Sequence, residues 1–186
     1  MKTLIVTNVW TKEEAEKARS FNDRLSPDFR IITDMNLSFG KVWEVPDHDK
    51  RTVEWNRRIL QRFIKENSYD ILLKIDPDIA VKSIPEMPEN CDVAGDFRKF
   101  ALNWVWFGAC QYYTKAAVEK ILGDSEYTGV CIFQDITLMK SVQRLNLRAY
   151  NMEEVDMWGK PDSTAQMFHP ETSPRERLPS GIIIFN

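Results

Sequence analysis

Apolar residues fall in short runs along this chain, and their spacing switches repeatedly between a strand period and a helix period. Thr3 to Val9 is a compact apolar run of strand length. Thr11-Lys12-Glu13-Glu14 follows as a capping box, in which the Thr11 hydroxyl accepts from the Glu14 amide while the Glu14 side chain reaches back. The helix it opens sets Ala15, Ala18, Phe21 and Leu25 on one side and stops before Pro27. Arg30 to Thr33 reads as a second strand. The resulting β-α-β order requires parallel pairing and a right-handed crossover.

Residues 36–50 read as loop. A longer helix over about 52–66 then repeats Trp55, Ile59, Leu60, Phe63 and Ile64 at helical spacing, with Arg51, Arg58, Arg62 and Lys65 on its other face. Tyr69 to Ile75 is a nearly continuous apolar run of the kind that fills a central strand covered on both faces. Pro85 and Pro88 mark a turn region before short strands at Asp92–Gly95 and Trp104–Ala109. A helix from about Thr114 turns Ala117, Val118, Ile121 and Leu122 inward and meets Gly123 as its stop. Another opens at Gln134-Asp135 and carries Leu138, Met139 and Val142, and Leu147–Tyr150 is a late strand. Residues 157–180 lack a period until the apolar Ile182–Phe185. The pattern predicts an α/β fold: a single domain with a mostly parallel central sheet flanked by helices, spanning 1–156, with 157–186 a C-terminal arm packed on the same domain.

The 186 residues suit one domain with a sizeable core. The net charge of -3, from 25 basic and 28 acidic residues, lacks the basic excess of a general nucleic-acid binder. Cys91, Cys110 and Cys131 are too few and too irregularly spaced for a disulfide framework or zinc knuckle, and read as reduced, mostly buried thiols. No apolar run approaches the roughly 20 residues of a membrane helix. The expected location is the cytoplasm, without a membrane span.

The candidate chemistry starts at Asp76-Pro77-Asp78, where the most apolar strand ends. Ligands of open α/β sheets bind at the carboxyl ends of strands. Pro77 favours an extended Asp76, and residues two apart in an extended segment project from one face. Asp76 and Asp78 can then share a hard cation, Mn²⁺ or Mg²⁺, with a diphosphate that bare carboxylates would repel. Capping of a strand-to-turn junction is the competing role for the same pair.

Tyr69 to Val81, Tyr-Asp-Ile-Leu-Leu-Lys-Ile-Asp-Pro-Asp-Ile-Ala-Val, resembles the strand and DxD motif of the GT-A glycosyltransferases. Trp106-Phe107-Gly108-Ala109-Cys110 is similar to that family's acceptor-side strand with a glycine turn. Gln134-Asp135-Ile136 resembles its Glu-Asp pair opening a helix, and Phe168-His169-Pro170 its late metal-binding histidine. The resemblance spans about residues 1–170 and implies a GT-A (Rossmann-like) domain. It implies metal held by Asp76, Asp78 and His169, and Asp135 as the base that takes the acceptor's proton. Thr7 and Asn8, at the end of the first strand, resemble the place where this fold holds the nucleotide base. Asp34 is placed to meet a base or ribose edge, and Arg58 or Lys74 to offset phosphate charge. Gln134 departs from the family's Glu and leaves the base and the stereochemical outcome open. His169 as a loop residue, Asp135 as a helix cap and Arg58 on a solvated face are the competing roles.

The implied function is metal-dependent transfer of a sugar from a nucleoside-diphosphate sugar, UDP-linked, to an acceptor hydroxyl. The acceptor is a glycan, or less readily a hydroxylated base in DNA, for which the Arg51–Lys65 face would meet the duplex. Two alternatives stay open: a nucleotidyltransferase of related fold, which Asn8-Val9-Trp10-Thr11 disfavours by lacking a Gly-rich phosphate loop, and a non-catalytic module that binds sugar nucleotides.

Overall fold

The computed structural model describes residues 1–9, 11–16, 29–32, 42–43, 53–76, 79–81, 83–100, 104–127, 134–156, 167–168 and 178–183, and the account below concerns these. Strand β1 is Thr3–Asn8, and the capping box follows it as expected. The Thr11 amide donates to Glu14 Oε2 at 3.0 Å, and the Glu14 amide donates to Thr11 Oγ1 at 3.1 Å. That reciprocal pair opens helix α1, described over 12–16. Strand β2, Phe29–Ile32, returns parallel to β1 with Ile5 opposite Phe29. Inside the stretch expected to be loop, Val42–Trp43 forms a short strand β3 parallel to β2.

Helix α2, Val53–Ile64, leads into β4, Ile71–Ile75, in which all five residues are buried. The helices account for this on one face: Leu72 packs in a core with Ile59, Leu60 and Phe63 of α2, and with residues of two later helices. On the other face Leu73 and Ile75 pack with Ala15 of α1, Met87 and Cys91. Strand β5, Ala80–Val81, follows directly.

Strands β6, Val93–Phe100, and β7, Trp104–Thr114, form a long antiparallel pair, extending well past the Asp92–Gly95 and Trp104–Ala109 runs. Gly108 lies within β7 rather than in a turn. The β6–β7 register shifts between Gly95 and Phe97, and Gly95, at φ 155°, takes the backbone through the bulge. Asn151 Oδ1 holds the rephased strand by accepting from the Phe97 amide at 2.8 Å. Helix α3, Lys115–Gly123, starts at Thr114, whose hydroxyl accepts from the Ala117 amide. It ends through an extended Asp124, so Gly123 does not serve as a left-handed cap.

Helix α4, Gln134–Arg144, closes in a Schellman turn. Asn146 sits at φ 50°, its amide donates to the Gln143 carbonyl, and the Leu147 amide donates to the Val142 carbonyl. Leu147 and Val142 share the core behind it, and the turn delivers the chain to β8, Ala149–Asn151. Strand β11, Gly181–Ile183, lies antiparallel beside β8.

The main sheet has eight strands in the order β11-β8-β6-β7-β4-β1-β2-β3. All run in one direction except β7 and β11, so the sheet is mixed and mostly parallel, as the alternating pattern predicts. A second, three-stranded sheet orders β5, β10 (Met167–Phe168) and β9 (Val155–Asp156). No helix among the described residues is long and apolar enough to cross a membrane.

Candidate functional site

The carboxyl ends of β1 and β4 lie side by side, because Thr7 pairs with Ile75 in parallel register. Parallel neighbours deliver their following loops to the same edge of the sheet, which is where a ligand crevice forms. One step before that edge, Val6 of β1, Lys74 of β4 and Gln111 of β7 form a continuous row across three strands. Such a row in the middle of a sheet is normally apolar. Here Lys74 and Gln111 are nonetheless buried, at 4% and 1% exposure.

Thr7 and Asn8 end β1 fully buried, and they lack what buried polar groups normally have. Among the described residues, Thr7 Oγ1 and both side-chain polar atoms of Asn8 find no hydrogen-bond partner. An unmet buried polar atom costs about 1–3 kcal/mol. As successive strand residues Thr7 and Asn8 face opposite sides of the sheet, so the unmet atoms are two separate local losses at the end of one strand. They are where the sequence places the hold on a nucleotide.

Asp76 is half-buried immediately past β4, and its carbonyl accepts from the Ile79 amide at 3.2 Å in the turn that follows. Its carboxylate supplies the hard oxygen chemistry that a divalent cation takes. Among the described residues no group of three or more His, Cys, Asp or Glu side chains is gathered. The other expected ligands, Asp78 and His169, lie outside the described residues, as does Asp34. The small sheet nonetheless relates the two stretches. Strand β10 runs antiparallel to β5 with Phe168 opposite Ala80, so the residue preceding His169 is paired two positions beyond Asp78.

Asp135 sits in the first turn of α4, where a carboxylate is favoured by the helix dipole. It is held from the sheet: Gln111 Nε2 donates to Asp135 Oδ1 at 2.9 Å. Gln111 Oε1 in turn accepts from the Tyr113 hydroxyl at 2.5 Å. Burial pushes the Tyr113 phenol well above its ordinary range, with further contributions from Tyr127, Asp135 and Asp76. Beside them, Asn56 Nδ2 of α2 donates to the Tyr127 hydroxyl at 2.6 Å, and burial likewise raises the Tyr127 phenol.

Arg58 stands apart from this group. It lies on the outer side of α2, 3.4 Å from Glu54 one turn earlier, on a partly exposed pair. Its neighbour Arg57 points to α3, donating to the carbonyls of Tyr127 and Leu122. The structure thus brings Thr7, Asn8, Lys74, Asp76 and Asp135 to one end of the sheet and leaves Arg58 outside. It adds Gln111, Tyr113, Tyr127 and Asn56, which the sequence reading did not single out. A glutamine two residues before a tyrosine on one face of an apolar strand was the available signal.

No protein-family model matches the sequence, and no curated protein sequence matches it. Solved structures do match in shape. A glycosyltransferase involved in the glycosylation of the major capsid of PBCV-1 superposes with a TM-score of 0.57, covering 91% of this chain and 92% of that one at 12% identity. The protein A197 from STIV superposes at 0.50 over 82% of each chain, with 14% identity. The chain shares the fold of a glycosyltransferase. At these identities the likeness speaks to architecture, and the chemistry rests on the residues above.

Proposed function

We propose that this protein transfers a sugar from a nucleoside-diphosphate sugar, UDP-linked, to an acceptor hydroxyl, on a GT-A type of site. The observation that carries the reading is the meeting of two unlike sets of groups at one sheet edge. Unmet polar atoms on Thr7 and Asn8 suit a nucleotide. A carboxylate at Asp76 suits a diphosphate-bound cation, and a second, hydrogen-bonded carboxylate at Asp135 suits a base. The fold shared with the PBCV-1 glycosyltransferase supports the same reading.

In this mechanism Thr7 and Asn8 bind the nucleotide and thereby position the sugar over the sheet edge. Asp76, with Asp78 and His169 as proposed co-ligands, would hold Mn²⁺ or Mg²⁺, which would supply positive charge to the diphosphate and to the departing nucleotide. Lys74 adds positive charge beneath the same edge. Asp135 accepts the acceptor's hydroxyl proton as that oxygen bonds to the anomeric carbon. The bond from the anomeric carbon to the phosphate oxygen breaks, and its electron pair leaves with the nucleoside diphosphate.

A glycan hydroxyl is the acceptor carried forward. The PBCV-1 enzyme serves the glycosylation of a capsid. A duplex would have to meet an acidic chain of net charge -3, on a helix face where Glu54 already accompanies Arg58. The test is a thermal-shift panel of sugar nucleotides with and without Mn²⁺, followed by assay of UDP release. One donor should raise the melting temperature only when metal is present. A panel in which no nucleotide sugar shifts the protein, with or without metal, would sink the reading.

A further inference from the structure

We infer that Gln111 and Tyr113 form a positioning relay that fixes the orientation of the Asp135 carboxylate. The inference deepens the proposed function and rests on Asp135 acting there as the base. A glutamine amide is ambiguous on its own, since its two ends are alike in shape and opposite in polarity. The Asp135 carboxylate, which can only accept, takes the nitrogen end, and the Tyr113 hydroxyl gives its proton to the oxygen end. Tyr113 is 0% exposed and its hydroxyl carries a single proton, which burial keeps in place. That proton is given to Gln111 Oε1. The amide is thereby oriented with its nitrogen toward α4, and Nε2 donates to Asp135 Oδ1.

Asp135 belongs to a helix and the other two residues to β7, so the relay ties the α4 N-terminus to the sheet. With Oδ1 held, the carboxylate cannot rotate about its Cβ–Cγ bond without losing a charge-assisted hydrogen bond. Its second oxygen therefore has one direction before any acceptor arrives, which is what a base must have to be within reach of one hydroxyl. A structural role alone would not explain the polarity of the arrangement. Apolar residues of the same volume at 111 and 113 would fill the strand equally well, without burying an amide and a phenol.

Two variants separate orientation from packing: Gln111→Met keeps the volume and removes both hydrogen bonds, and Tyr113→Phe removes only the oxygen. The first readout needs no ligand. In ¹⁵N NMR of the whole protein, the Gln111 side-chain amide should show a downfield, slowly exchanging proton that is lost in Tyr113→Phe and in Asp135→Ala. A Gln111 amide that resembles exposed glutamines, or that is unchanged in Tyr113→Phe, overturns the relay.

The second readout uses UDP release from the sugar nucleotide selected by the thermal-shift panel. Gln111→Met should lower kcat roughly 10- to 100-fold with the donor KM unchanged, as for lost orienting partners of reactive groups. It should have no further effect once Asp135 is already Asn. Full activity in Gln111→Met alongside loss in Asp135→Asn overturns the relay and spares the base. Full activity in Asp135→Asn overturns the base itself, and the NMR readout still reports whether the three side chains are coupled.

Discussion

Phe168 lies directly opposite Ala80 in the small antiparallel pair formed by β10 and β5. One residue further on is His169, and two residues before Ala80 is Asp78. The pairing joins the described segments next to these two residues, because antiparallel register joins what sequence separates. Asp78→Ala and His169→Ala should therefore act on the same property. Each should weaken Mn²⁺-dependent UDP binding by about tenfold or more, about 1.4 kcal/mol, with the melting temperature of the free protein unchanged. Calorimetric titration with UDP and Mn²⁺ checks this, and unchanged affinity in both variants would remove the metal assignment.

Asp135→Asn keeps the shape of the side chain and its place at the α4 N-terminus while removing the base. It should leave UDP affinity intact and lower turnover by about 10²–10⁴-fold, the usual contribution of a positioned base. Turnover equal to the parent protein would assign Asp135 to helix capping alone.

Thr7 offers a test in which stability and binding move in opposite directions. Its hydroxyl is buried without a partner among the described residues, so Thr7→Val exchanges an unmet polar atom for a methyl. The free protein should gain about 1 kcal/mol, which for a chain of this size is a rise of about 2–4 °C in melting temperature. The metal-dependent stabilisation by nucleotide should shrink in the same variant. A Thr7→Val protein that melts lower than the parent would mean that the hydroxyl is satisfied in the folded chain, and the argument for a nucleotide at that position would lose its basis.

How far the sequence reaches is clearest where it succeeded and failed within a few residues. The capping box at Thr11–Glu14 is legible because both partners lie within one turn, and the structure forms both of its bonds. The Tyr69–Ile75 run is legible because a strand covered on both faces can be apolar throughout. Strand β6 was read too short because Asp96 and Arg98 look like solvent-facing charges. In the fold they pair with each other at 2.9 Å and are almost wholly buried. Strand β7 runs past Ala109, where the sequence reading ends it, through Cys110 and Gln111, and a buried amide that answers a tyrosine and an aspartate is indistinguishable, in sequence, from an exposed one. Pattern reading registers polarity and cannot register its satisfaction. Polar groups satisfied across 24 residues of chain, as Gln111 and Asp135 are, thus reach the eye only with the fold.

Asp124 makes the acid response of the fold a specific expectation. It caps the C-terminus of α3, where the helix dipole disfavours a negative charge. Burial works against its charged form, but hydrogen bonds from Arg144, Ser141 and the Glu126 amide outweigh it and hold its pKa below the ordinary carboxylate value. A carboxyl depressed on folding contributes stability above its unfolded pKa of about 3.9, and that contribution is lost as pH falls through the folded value. Arg144 is one-third exposed, which screens the pair, so Asp124→Asn should cost only about 1 kcal/mol at pH 7. Urea unfolding at pH 7 and again below pH 3 checks both halves: the variant should be the weaker protein at neutral pH, and the gap should close in acid. A gap of equal size at both values would mean that Asp124 acts through shape rather than charge, and that the link between α3 and α4 does not depend on its ionisation.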